Sequence, residues 1–400
     1  MTRPIVVVLG HFPDLARLLV GLNEVCELWL VADDTVGPLP PYERVRTVGA
    51  VDRSTVLDML RAEGAADRVA AVVPGRERYT TLSATTARSL GVQPDLPDAY
   101  RTLEDKYLLR VASQAAGLSN TFFTLGETAD DVAAALDRVG PEGVVVKPRR
   151  GNASRGVTHL SHPDDRPEIE AAVAVAGAEF LVEEFVAGAG FSVELVRDRG
   201  RLTFSNVTAK TLSGAAGASP FIPVQHTVPA VVDDALRLRL VAAQLGFLDR
   251  IGATTGLFHG EWQLRPDCTV YLIECAARFP GGGLGDAAQC SYGVNLAHTW
   301  VRALLGCSPV EPLPEPRGHT ASMSFLAPQD GRLSVIHGLD AVAELPETLS
   351  ITRRVADGRP VRRARDGSDR LLTVTVHAAS GDALRDLTAR VRALVTVDVD

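Results

Sequence analysis

The sequence predicts an α/β fold that continues into α+β units, and two observations support this prediction. Near the start, apolar runs rich in β-branched residues alternate with leucines at helical spacing, as Ile5–Leu9 does with Leu15, Leu18 and Leu19. Further along, strand patterns follow one another through short turns, which is typical of antiparallel pairing. A chain of 400 residues exceeds one ordinary core, so we expect two or three domains.

The first domain is predicted to span residues 1–100 and to contain a parallel sheet. Three buried strand patterns precede two closely spaced prolines: Ile5–Leu9, 27–31, Val69–Pro74, Pro94 and Pro97. The first strand ends at Gly10-His11, and no GxGxxG pattern follows it. We therefore expect this domain to provide substrate contacts or structure rather than a cofactor site.

The second domain is predicted to span residues 101–310. Thr102 is predicted to cap one helix, and Thr128 with Asp131 to start another. The remaining patterns are strands at 143–148, 180–186, 191–197, 201–207, 258–264 and 270–274, and a helix at 231–245. Prolines at 309, 312, 314 and 316 mark a second boundary, after which residues 311–400 read as a small α/β unit.

Composition excludes several classes of function. The net charge of −8 disfavours a nucleic-acid partner or an anionic membrane surface, because both require an excess of basic residues. No apolar stretch reaches membrane-spanning length. The five cysteines form no CxxC pair, so we expect free thiols and a cytoplasmic protein.

Lysine is rare in this chain, which has three lysines against thirty-eight arginines. Lys106 is predicted to open a helix, Lys147 ends a strand before a Gly/Ser loop, and Lys210 precedes a loop of small residues. An ammonium is a compact point charge that fits among phosphate oxygens, whereas a guanidinium is a planar fork. Lysines that persist among so many arginines are therefore candidates for phosphate ligands.

Two carboxylates mark a candidate metal site on a pair of predicted antiparallel strands. Glu261 alternates with His259 on one strand face, and Glu274 ends the next strand. Like charges this close are costly unless a cation neutralises them, and carboxylate oxygens suit a hard cation. Arg278 and three consecutive glycines follow, and glycine-rich backbone can bind an anion through its N–H groups.

In their order and spacing these features resemble the ATP-grasp superfamily, and within it carboxylate–amine ligases such as the L-amino-acid ligases and carnosine synthase. The match covers about residues 100–310. It rests on the two lysines Lys106 and Lys147, a hinge-like segment at 181–186, and a His-x-Glu strand followed by a Glu-x-x-x-Arg segment with glycines. The resemblance implies an ATP-grasp fold with a Rossmann-like domain before it and a small α/β domain after it.

The resemblance also implies a reaction and a set of roles. A substrate carboxylate would take the γ-phosphate of ATP, and an amine would then displace phosphate from the acyl phosphate. The loop at 149–156 and a second loop at 211–220 would cover the reacting groups. The implied residues are Lys106, Lys147, Ser154, Glu183, Glu184, Val186, Glu194 and Lys210 at ATP; Glu261 and Glu274 at Mg²⁺ or Mn²⁺; His226, His259, Gly281 and Gly282 at substrate; and Arg278 with Lys147 in catalysis.

The chain departs from the family pattern at two positions. The metal-ligating Asn of the family falls at Ala276, and its ribose-binding acid falls at Gly190. We therefore expect a functional but unusual metal site, and a ribose held by Glu194 or by another group.

Two other functions stay open beside the ligase. The departures would also fit a nucleotide-binding protein that has lost its chemistry, and the superfamily includes carboxylases and purine-type ligases. Retention of the lysines, both carboxylates and Arg278 favours a ligase acting on a small carboxylic acid, such as an amino acid, and an amine. The resemblance also allows a homodimer.

Overall fold

The N-terminal part of the chain forms a four-stranded parallel sheet in the order β3-β2-β1-β4. The computed structural model describes residues 3–34, 40–92, 95, 97–213 and 219–400. The elements here are β1 Ile5–Leu9, α1 Pro13–Leu18, β2 Glu27–Ala32, β3 Arg44–Thr47, α2 Arg53–Ala62, β4 Val69–Pro74, α3 Thr80–Ser89, α4 Pro97–Glu104 and α5 Lys106–Ala115. Strands β1, β2 and β4 are almost wholly buried, as continuous apolar runs require.

A second, antiparallel sheet follows in the order β5-β8-β6-β7. Its elements are β5 Phe123–Gly126, α6 Ala129–Val139, β6 Val144–Pro148, β7 Thr158–Leu160, α7 Arg166–Ala176 and β8 Phe180–Glu184. Helices α6 and α7 cover one face and share a core with the sheet through Val132, Leu136 and Ile169. This unit carries Lys147 near the end of β6 and Glu183 in β8.

An eight-stranded antiparallel sheet is the largest element, in the order β13-β12-β9-β10-β11-β14-β18-β16. The first strands of this sheet, with the helices that connect or follow them, are β9 Ala189–Asp198, β10 Arg201–Leu212, β11 Pro223–Val228, α8 Asp234–Ile251, β12 Gly256–Leu264, β13 Val270–Ala276, α9 Leu284–Tyr292 and α10 Leu296–Leu304. Its second part, with the elements around it, comprises β14 His319–Leu326, β15 Gly331–His337, α11 Leu339–Ala343, β16 Thr348–Arg353, β17 Pro360–Val361, β18 Arg370–Ala378, α12 Gly381–Leu394 and β19 Thr396–Val399. Strands β17, β15 and β19 form a separate three-stranded sheet.

The two faces of the large sheet differ in character along β9, β10 and β12. Alternate residues such as Phe191, Val207 and Trp262 enter a core that also includes residues of α8 and of α4 and α5. The intervening residues are polar or charged where they face the β5-β8-β6-β7 sheet and its loops. Because side chains alternate along each strand, the same packing places polar residues on the other face at one end of these strands, while Val196 and Phe204 at the other end join a second apolar core.

The structure corrects one predicted helix start and confirms another. Thr102 lies inside α4, where its hydroxyl donates to the carbonyl of Asp98, and Asp105 caps α5 instead by accepting from the N–H groups of Tyr107 and Leu108. A mid-helix threonine hydroxyl bonds back to the preceding turn, so Thr102 was a misleading cap signal. Thr128 caps α6 as predicted, with Asp131 completing the capping box.

The predicted division at residues 100 and 310 stays a prediction. The large sheet continues across residue 310, because β11 pairs with β14. Pro94 and residues 214–218 of the predicted second loop lie outside the described residues. Within the described ranges, no helix combines the length and apolarity needed to cross a bilayer.

Gly260 in β12 provides a test of packing beneath the polar face. A methyl group at Gly260 would lie 2.0 Å from Oε1 of Gln244, a fully buried side chain that accepts from the Trp262 indole and donates to the Val193 carbonyl. We expect Gly260→Ala to lower the free energy of unfolding by about 2–3 kcal/mol, because those two buried hydrogen bonds must be displaced.

The matched control is Gly246→Ala in helix α8. A methyl group there meets no atom within 4 Å, so we expect a gain of about 0.5–1 kcal/mol from helix propensity. Urea denaturation of the two variants measures both effects. Equal stability of the two variants would contradict this account of the sheet.

Candidate active site

The polar face of the large sheet brings together residues that are far apart in sequence. Pairing aligns His259 with Glu194, Glu261 with Ser192, and Lys210 with His226 across neighbouring strands. Glu274 on β13 lies directly opposite Glu261 on β12. Directly opposed residues of antiparallel strands share a face, so both predicted metal carboxylates point to the same side.

Each of the three lysines forms an ion pair with a carboxylate that the sequence analysis assigned to the site. Lys106 Nζ lies 3.2 Å from Glu274 Oε1, Lys147 Nζ 2.5 Å from Glu183 Oε1, and Lys210 Nζ 2.8 Å from Glu261 Oε2. All three lysine side chains are nearly buried. Buried charges are stable only when paired, so these lysines and carboxylates hold one another in place.

Burial and pairing act in opposite directions on these groups. Burial lowers the pKa of Lys147, which Glu183 only partly offsets. For Lys106, burial is outweighed by Glu274 and Glu77, and the pKa is raised. Burial would raise the pKa of Glu261, but Lys210 and His259 hold it well below its usual range, so this carboxylate is ionised at neutral pH.

Glu194 anchors a buried hydrogen-bond network instead of facing open space. Its Oε1 accepts from Ser192 Oγ at 2.7 Å and from His259 Nδ1 at 2.9 Å, and its Oε2 accepts from Asn206 Nδ2 and Thr208 Oγ1, both at 2.7 Å. Burial would raise its pKa, but these bonds lower it. The predicted contact of Glu194 with ribose stays a prediction, since protein donors already occupy both carboxylate oxygens.

His259 connects this network to the predicted metal carboxylates. Its Nδ1 lies against Glu194, and its Nε2 lies 3.4 Å from Glu261 Oε1. Burial is outweighed by the two carboxylates, and the pKa of His259 is raised. Ala276 lies directly opposite His259 and is buried, so the position of the family's missing Asn adjoins this imidazole.

Arg278 reaches an acidic partner that the sequence analysis did not identify. Its Nε and one terminal nitrogen each lie 2.7 Å from Oε2 of Glu77, which is 7% exposed. Glu77 follows β4, at the carboxyl end of the parallel sheet. Its neighbours in sequence are Arg76 and Arg78, a charged pattern typical of a surface loop, so only the fold reveals its position.

The predicted hinge and loops lie beside this surface. The Glu184 N–H donates to the Phe122 carbonyl, and the Val186 carbonyl accepts from Gln263 Nε2 at 3.4 Å. In the 149–156 loop, Lys106 Nζ donates to the Gly151 carbonyl at 2.6 Å, and Ser154, at φ 58°, donates its hydroxyl to the Phe221 carbonyl. Contacts of these groups with ATP stay predictions.

His226 packs against the glycine segment that follows Arg278. A methyl group at Gly282 would lie 2.7 Å from Cε1 of His226, so only glycine fits there, whereas Gly281 faces open space. Burial, together with the charge of Arg370, lowers the pKa of His226 to about 3. His226 is therefore a neutral imidazole at physiological pH.

Comparisons with known proteins identify two segments of the chain. Residues 141–286 match the ATP-grasp domain, and residues 324–400 match the L-amino acid ligase C-terminal domain 2. The chain is 26% identical over 366 residues to the uncharacterized protein y4rH of Sinorhizobium fredii, covering 88% of this chain and 73% of that protein. It is 24% identical over 249 residues to alanine–anticapsin ligase of Bacillus subtilis, covering 57% of this chain and 52% of that ligase.

A solved structure superposes on this chain over its entire length. The L-amino acid ligase from Bacillus licheniformis superposes with a TM-score of 0.81 at 20% identity, and 100% of each chain is covered. The predicted ATP-grasp fold is confirmed, as is the predicted resemblance to the amino-acid ligase branch.

Because His226 is buried and neutral, we predict that it lowers the free energy of unfolding of the chain in acid. Its pKa is about 3 in the folded chain against 6.5 when solvated, so the unfolded chain binds the extra proton between these values. Stability is therefore lost as pH falls below 6.5. Between pH 7 and pH 5, we expect His226→Gln to lose about 1–2 kcal/mol less unfolding free energy than the unsubstituted chain.

Urea denaturation at both pH values measures this difference. His162→Gln is the control, because His162 is exposed and its imidazole is solvated in both states. An acid loss in His226→Gln as large as in His162→Gln would contradict the prediction.

Proposed function

We propose that this ATP-grasp protein is an ATP-dependent ligase that joins a small carboxylic acid to an amine. The observation that carries the proposal is the convergence of the chain's three lysines, the Glu261–Glu274 pair and Arg278 around one polar face. The carboxylate oxygen of the acid attacks the γ-phosphorus of ATP, and the bond to the β,γ-bridging oxygen breaks to release ADP. The amine nitrogen then attacks the acyl carbon, loses a proton, and expels phosphate.

Lys106 and Lys147 are proposed to bind the α- and β-phosphates. Lys147 and Arg110 share the single carboxylate of Glu183, so this part of the site carries an excess positive charge. An excess of positive charge in a buried setting attracts a polyphosphate strongly. Lys106 is tied to the 149–156 loop through Gly151, which supports a role for that loop in covering the phosphates.

Glu261 and Glu274 are proposed to hold Mg²⁺ or Mn²⁺ together with phosphate oxygens. Across the described part of the chain, no group of three or more His, Cys, Asp or Glu side chains is arranged as a metal site. Two opposed carboxylates nonetheless fit a divalent cation that takes its other ligands from a nucleotide and water, as Mg²⁺ usually does. When bound, such a cation would neutralise charge on the transferring phosphoryl group.

Arg278 is proposed to stabilise the phosphoryl group as it moves to the acid. Glu77 Oε2 accepts a hydrogen bond from Nε of Arg278 and pairs with one terminal nitrogen of the same guanidinium, so the arginine keeps its orientation without substrate. The glycine segment and the neutral His226 lie next to it, where the acyl group would be held. An amino acid is the proposed acid, on the likeness to amino-acid ligases.

A cytoplasmic location is part of the proposal. All five cysteines are free thiols, as a reducing compartment allows.

Glu261→Gln tests the proposed function directly. ADP formation is measured with ATP and Mg²⁺ across the amino acids, singly and in pairs, and products are identified by mass spectrometry. We expect pair-dependent ADP release with a new amide mass, and a loss on the order of 10²-fold in Glu261→Gln because the cation loses a charged ligand.

Glu311→Gln is the matched control, since Glu311 is exposed in the proline-rich segment. If ATP binds but no amino acid, alone or in a pair, induces ADP formation, the ligase proposal is contradicted. A nucleotide-binding protein without catalytic activity is then favoured. ADP release with one acid but no amide would contradict the amine as acceptor.

A further inference from the structure

Strand β13 contains a bulge immediately before Glu274. From Leu264 to Trp262 on β12 the partners on β13 run in step from Val270 to Leu272. Glu261 then pairs with Glu274, so Ile273 is an extra residue without a partner of its own. Two residues of one strand facing one of the other is the definition of a β-bulge.

The bulge decides which side of the sheet Glu274 occupies. Without it, Ile273 would lie opposite Glu261, and Glu274 would lie opposite Gly260 on the other face. A shift of one residue moves a side chain to the opposite face of a sheet. The two carboxylates therefore share a face only because Ile273 is accommodated as an extra residue.

The bulge leaves two successive carbonyls in need of donors on the outer side of β13. Within the described sheet, β13 is an edge strand, so no neighbouring strand is available there. In a regular strand, successive carbonyls point to opposite edges. Here the carbonyls of Leu272 and Ile273 both accept from the guanidinium of Arg110, the latter at 2.9 Å.

Arg110 is fully buried, and its Nε is used on the nucleotide side of the site. Its Nε donates to Glu183 Oε2 at 2.9 Å, and Glu183 in turn holds Lys147. Its guanidinium carbon lies 4.8 Å from the ring centroid of Tyr271. Arg110 also lies one helical turn after Lys106 on α5. This one helix therefore contacts Glu274 through Lys106, and the β13 bulge and Glu183 through Arg110.

We propose that Arg110 is a positioning residue that holds the β13 bulge and thereby keeps Glu274 beside Glu261, while fixing Glu183 and Lys147. This inference rests on the proposed function, because it concerns the metal and nucleotide ligands named there. A planar fork with several donors can satisfy two carbonyls and a carboxylate at once. A lysine ammonium is too compact to do so.

The test compares Arg110→Lys with Arg197→Lys. Arg197 is also buried and also bonds backbone carbonyls and a carboxylate, those of Ala253, Gly200 and Asp249, away from the site. Binding of ADP with Mg²⁺ is measured by calorimetry alongside the melting temperature. We expect Arg110→Lys to raise the dissociation constant of MgADP about tenfold or more, as loss of a group that orients metal ligands does.

Kinetics provide a second measurement. In Arg110→Lys, the KM for ATP and the Mg²⁺ concentration for half-maximal rate should rise, while the KM for the acid stays unchanged. Arg197→Lys should lower the melting temperature to a similar extent without either change. Arg110→Gln, which keeps one donor to the bulge, should give the same pattern as Arg110→Lys.

The outcomes separate the two proposals. Equal MgADP binding in Arg110→Lys and Arg197→Lys would overturn the positioning role alone. Failure of both Arg110 variants to fold, with Arg197→Lys folded, would overturn it in favour of a structural role. Absence of MgADP binding in the unsubstituted chain would overturn the proposed function and this inference with it.

Discussion

The close approach of Glu261 and Glu274 is the constraint on which the rest of the site depends. Two carboxylates on one face of adjacent strands repel each other unless cations are placed beside them. The chain places Lys210 of β10 against Glu261 and Lys106 of α5 against Glu274. Strand β10 and helix α5 thus each supply one positive charge to the carboxylate pair.

The charged residues of the whole site carry a small net positive charge. Glu183, Glu261, Glu274 and Glu77 face three lysines, Arg110 and Arg278, which leaves one positive charge in excess. Glu194 and His259 form a pair of their own. A surface with this balance suits an anion that carries its own cation, because a bare polyphosphate would leave a large negative excess.

Among the residues that the structure gathers around the polar face, the sequence pointed to those whose signal is local. The rarity of lysine singled out all three site lysines, and strand alternation placed Glu261 with His259. The ATP-grasp fold was expected from the family resemblance that the order and spacing of these residues carry, and this expectation is confirmed. Cys275, between Glu274 and Ala276, points into the core, as alternation requires.

Residues whose role depends on contacts with distant parts of the chain could not be predicted from the sequence. Arg110 is one of thirty-eight arginines, and nothing in its neighbours marks it as buried. Glu77 acquires a partner only when the parallel sheet meets the Arg278 loop. The bulge at Ile273 is invisible in a run of apolar residues, yet it reverses the side on which Glu274 lies. Strand alternation alone would have put Glu261 and Glu274 on opposite faces. The local pattern is broken at Ile273, where Arg110 of α5 contacts the bulge.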